Sequence, residues 1–89
     1  MSRAFIKEDS GLPERRYSLP ARTDPGYDAA AALALLEGAN VGDSYGAELA
    51  TGYRWGEPKL MAHVERILTD ARAEGNERLQ QLAERFLRS

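Results

Sequence analysis

PKLMAHVERILTDARAEGNERLQQLAERFL, residues 58–87, is the stretch that decides the fold class. Leu60, Val64, Ile67, Leu68 and Ala71 recur at spacings of three and four, with one adjacent pair, and so share one face of an α-helix. Pro58 suits a first helical turn, where its missing N–H sacrifices no bond, and Glu57 before it complements the positive end of the helix dipole. Gly75 ends this helix, and Asn76 caps the next one, with Glu77 in its first turn. There Leu79, Leu82, Ala83, Phe86 and Leu87 form a second apolar stripe, and Arg85 and Arg88 fall in the last turn, where cations favour the carbonyl end. The spacing predicts helices over 58–74 and 76–88, joined so tightly at Gly75-Asn76 that they must form a hairpin or corner.

Upstream, Asp24-Pro25 reads as a cap followed by a first-turn proline, and Asp28 is a second possible cap. The run from Asp28 to Glu37 consists almost wholly of strong helix formers, and Gly38 then stops it, which predicts a helix over 25–38. Leu33 and Leu36 share a face that Ala29 and Ala32 extend, and these small alanines would let a partner helix approach closely. A shorter helix over 43–51 is capped by Asp43 or Ser44 and ended by Thr51-Gly52, with Gly46 weakening it by about 1 kcal/mol relative to alanine. The expected fold is all-α: a small bundle of about four short helices over residues 27–89, preceded by an extended or disordered N-terminal arm over 1–26. Its expected core is Leu33, Leu36, Leu49, Trp55, Leu60, Val64, Ile67, Leu68, Leu79, Leu82 and Phe86. So small a core leaves room for a homodimer through the Ala29–Leu36 face.

The arm is read from its breakers. Pro13, Pro20 and Pro25 interrupt it, Gly11 and Gly26 loosen it, and its apolar residues are sparse. Phe5 with Ile6, and Tyr17 with Leu19, resemble anchors for a partner, separated by polar spacers. The alternative is that they pack back onto the helices. A second candidate binding element is Gly52-Tyr53-Arg54-Trp55-Gly56, large residues between two glycines. Trp55 is expected as a core plug between helices; the competing reading makes Tyr53, Arg54 and Trp55 a recognition surface.

The 89 residues carry 12 Lys plus Arg against 14 Asp plus Glu, for a net charge of −2. Residues 28–56 hold Asp28, Glu37, Asp43 and Glu48 against Arg54 alone, whereas 57–89 balance. This distribution argues against nucleic acid as partner, since phosphate binding draws its affinity from a basic face. A weak nucleic-acid contact through Arg15, Arg16 and Arg22 of the arm is the alternative. The chain has no cysteine, and so neither a disulfide framework nor a thiolate zinc site. His63 is the single histidine and lacks the companions of a metal-ligand pattern. No serine lies in a Gly-x-Ser-x-Gly elbow, and no phosphate-binding glycine motif is present. Neither enzyme activity nor a cofactor or metal is therefore expected. No apolar run reaches a membrane span or a signal sequence, so a cytoplasmic location and no membrane partner are expected. What is expected instead is a protein-interaction module or adaptor, with a small ligand-binding or enzymatic domain built on the Gly52–Gly56 loop as the alternative.

The opening Ser2-Arg3-Ala4-Phe5-Ile6-Lys7-Glu8-Asp9 resembles the N-terminal stretch of some bacterial relatives of Gre-type transcription elongation factors. The resemblance implies an arm of shared type and, with it, a docking partner in the transcription machinery such as RNA polymerase. Members of that family work through a long helical hairpin with acidic residues at its tip and a second globular domain. This chain has the length for neither, and their functional residues find no counterpart here.

Overall fold

A computed structural model describes residues 17–89. Among them the chain forms four α-helices and no strand: α1 (Tyr27–Asn40), α2 (Ser44–Thr51), α3 (Met61–Glu74) and α4 (Glu77–Leu87), with a 3-10 turn (Pro58–Leu60) leading into α3. The all-α fold is the one the sequence predicts. Phe5 and Ile6 lie outside the described residues.

The hairpin of α3 and α4 forms as its punctuation dictates. The Glu57 carboxylate accepts the Lys59 N–H (3.2 Å), so Pro58 opens a 3-10 turn before the α-helix proper. Gly75 closes α3, and the Asn76 side chain accepts the Leu79 N–H (3.1 Å) at the start of α4. Val64 and Leu68 of α3 join Leu82, Ala83 and Phe86 of α4 in one buried cluster, and Ala71 is buried as well. The Arg72–Glu84 ion pair (3.4 Å) bridges the two helices at the surface, where such a pair contributes at most about 1 kcal/mol.

α1 packs against α2, α3, α4 and the 3-10 turn, and is the hub of the bundle. Its buried residues are Tyr27, Ala31, Ala32, Ala34, Leu35, Leu36 and Gly38. Leu35 is therefore core, and the expected core residue Leu33 is 38% exposed. Of the face expected to receive a second copy, Ala32 and Leu36 are buried within the chain, whereas Ala29 and Leu33 are exposed. Two boundaries also move. Pro25 lies before the helix, in a turn where the Asp24 carboxylate accepts the Gly26 N–H (2.7 Å) and the Asp24 carbonyl accepts the Tyr27 N–H (3.0 Å). Gly38 does not stop α1; it is buried inside it, because the missing side chain is where α2 enters. A Cβ at Gly38 would lie 2.6 Å from that of Ala47. The helix ends instead at Asn40, and the turn into α2 is held by the Asp43 N–H on the Gly38 carbonyl (2.7 Å).

Residues 17–26 run without helix but belong to the body. Tyr17 is buried, its hydroxyl donating to the Asp43 carboxylate (2.8 Å), and Leu19 packs against the core. The expected arm thus contributes to the bundle, ahead of residue 27. Its tyrosine, expected as an anchor for another protein, is buried against the helices.

Candidate functional site

α2 is short and lies on α1 through its small residues. Ala47, Ala50 and Thr51 are buried, with Ala47 close against Gly38 of α1, while Gly46 is covered by the Asp43 side chain. The bulky residues of α2 consequently face away. Tyr45 is 73% exposed and Leu49, expected in the core, is 54% exposed. They are one helical turn apart and so lie side by side on the outer face. Val41, in the turn entering α2, is exposed as well.

Beside this face lies the aromatic loop, fixed by polar contacts on both sides. Gly52 ends α2 with φ +78°, a left-handed conformation that a side chain would strain. The Thr51 hydroxyl donates to the Ala47 carbonyl (2.9 Å) and accepts the Tyr53 N–H (3.1 Å). The buried Tyr27 hydroxyl donates to the Thr51 carbonyl (2.8 Å), tying the end of α2 to the start of α1. The Tyr53 hydroxyl donates to the Asp28 carboxylate (2.7 Å), and the Trp55 N–H donates to the Glu48 carboxylate (2.9 Å). Tyr45, Glu48, Leu49, Gly52, Tyr53 and Arg54 together line a shallow depression.

The sequence-predicted residues divide between this surface and the core. Tyr53 is half-buried at the rim of the depression and Arg54 is exposed there. Trp55 turns inward, half-buried, with its ring edge-to-face on Phe86 at 4.9 Å. It leans against the core from outside and does not fill it, so the expected plug is realised only in part. Tyr17 and Leu19 are committed to the body, as described. Val41, Tyr45 and Leu49 were not singled out as binding residues. The signal for them is Tyr45 and Leu49 four apart, opposite the small residues Gly46, Ala47 and Ala50.

The surroundings are acidic. The Tyr53 phenol is held above its ordinary range, first by its hydrogen bond to Asp28, then by burial and by the charges of Asp28 and Glu57. Arg22 lies on the same side, its guanidinium 5.7 Å from the Tyr27 ring centre and close against Gly52. His63 is half-buried on α3, away from any such group: among the described residues, no three or more His, Cys, Asp and Glu side chains are grouped to hold a metal ion. No helix among these residues is long and apolar enough to cross a membrane.

The fold and this surface define a small helical domain that presents an apolar helix face. The chain matches no family model, no curated protein and no solved structure.

Proposed function

We propose that this chain is a protein-interaction module that binds through the outer face of α2 and the adjoining Tyr53-Arg54 loop. The observation that carries the reading is the outward placement of Tyr45 and Leu49 on a helix whose other side is small and fully used in packing. A large side chain kept in water gains from burial only when another molecule covers it, at roughly 25 cal/mol per Å² of apolar surface. Tyrosine and arginine, both present here, are the residue types enriched where interface energy concentrates. The hydrogen bonds of Asp28, Glu48 and Thr51 hold the loop in place beforehand, so little ordering entropy is lost on binding.

Site-directed photo-crosslinking in cells tests this reading. A photoreactive phenylalanine analogue at position 45 or 49 is expected to yield a discrete protein adduct. The same group at position 66 or 85, exposed on α3 and α4, is expected to yield none. Equal adducts from all four positions, or none from 45 and 49, would overturn the proposal. RNA polymerase, the partner implied by the resemblance of Ser2–Asp9, would be recognised among the adducts by the mass of its subunits.

A further inference from the structure

We infer that the segment docking on the outer face of α2 is an amphipathic stretch of a partner protein, with Lys or Arg flanking its apolar side chains. The inference rests on the interaction reading above and adds the chemistry of the partner.

The argument is one of desolvation. Covering Tyr45 and Leu49 brings a partner over Glu48 and beside the Tyr53 rim, where Asp28 and Glu57 act on the phenol. Asp28 accepts from the Tyr53 hydroxyl and Glu48 from the Trp55 N–H. A carboxylate offers about four lone-pair sites, so each retains capacity that water fills in the free protein. A purely apolar partner would strip that water and return nothing, a cost that buried carboxylates impose unless donors replace it. Among the described residues, Arg22 and Arg54 supply two cations on this side against the carboxylates of Asp28, Glu48 and Glu57. The deficit is positive charge, and the partner must bring it. Phosphate-rich ligands have the wrong sign. A second copy of this chain, placed by a two-fold axis, would set the same acidic groups against each other.

A titration of the isotope-labelled full chain, read by amide chemical shifts, tests the inference with three short synthetic peptides. One is a helical Leu/Lys repeat with apolar and basic faces. The second keeps the pattern with Glu in place of Lys, and the third keeps the lysines with Ser in place of Leu. The Leu/Lys peptide is expected to shift amides of residues 44–54 saturably, and the other two to bind at least about tenfold more weakly, a difference of about 1.4 kcal/mol. Leu49→Asp in the chain is expected to weaken the Leu/Lys peptide by a similar factor while the spectrum stays dispersed, and Leu49→Ser provides the same test without added charge. Equal binding of the Leu/Glu peptide at residues 44–54 would overturn the basic partner and leave the interaction surface standing. Shifts centred on α3 and α4, or no binding by any peptide, would overturn the inference. The crosslinks from position 45 would then judge the interaction reading separately.

Discussion

Phe86→Ala is expected to lower stability by about 3–5 kcal/mol, the usual cost of removing a fully buried phenyl ring. Phe86 is the largest wholly buried side chain among the described residues, in a core that includes Leu35, Leu36, Leu60 and Leu82. It also supports Trp55, whose ring meets it edge-to-face. Deleting the phenyl leaves a cavity at the centre and removes the floor beneath the indole, so the loss includes the aromatic pairing as well as the transfer energy. In a domain this small, each kcal/mol moves the melting temperature by about 4–8 °C, and thermal unfolding followed by circular dichroism should register a fall of about 12 °C or more. A fall of only a few degrees would mean that the core is not organised around Phe86.

Gly38→Ala is expected to destabilise the protein, against the ordinary rule for helices. In an unobstructed helix interior this change gains about 0.5–1 kcal/mol. Here the new Cβ would lie 2.6 Å from the Ala47 Cβ, 3.0 Å from the Asp43 carbonyl oxygen and 3.1 Å from the Tyr17 hydroxyl. Two of these neighbours are backbone or a Cβ, which cannot swing aside, and overpacking of this kind costs about 1–3 kcal/mol. The net effect is therefore a loss, and Gly38→Val should lose more. Ala47→Gly placed on the Gly38→Ala background should recover part of it, since the two substitutions share one contact. A Gly38→Ala protein more stable than the parent would show that α2 does not seat on α1 at this point.

Legibility in the sequence follows the presence of polar markers. In α3 and α4, charged residues separate the apolar ones, so the helical phase is fixed. Val64, Leu68, Leu82 and Phe86, with Leu60 of the preceding turn, are buried as the spacing predicts, while the expected core residues Ile67 and Leu79 are half-buried at its edge. Residues 29–36 are all alanine and leucine, and an unbroken apolar run has no phase to read. Leu33 was therefore expected inside in place of Leu35. Gly38 carried two meanings, helix stop and helix contact, and local sequence favours the first; only the position of Ala47 reveals the second. Leu49 was expected inside, yet α2 seats on α1 through Ala47 against Gly38, with Ala50 and Thr51 also buried, and Leu49 is left on the outer side. The loop was legible as a unit, but Trp55 leans half-buried on the core, and the loop's bonds to Asp28 and Glu48 join residues 25 and seven positions apart and could not be read locally.

The functional reading stands on one claim: the fold presents Tyr45 and Leu49 without depending on them. Thermal unfolding of the Tyr45→Ser/Leu49→Ser double variant tests it most directly. Surface substitutions of this kind change stability by about 0.5 kcal/mol or less each, so the melting temperature is expected to stay within about 8 °C of the parent. A fall of about 15 °C or more would place these side chains among the supports of the bundle and contradict their assignment to a binding face.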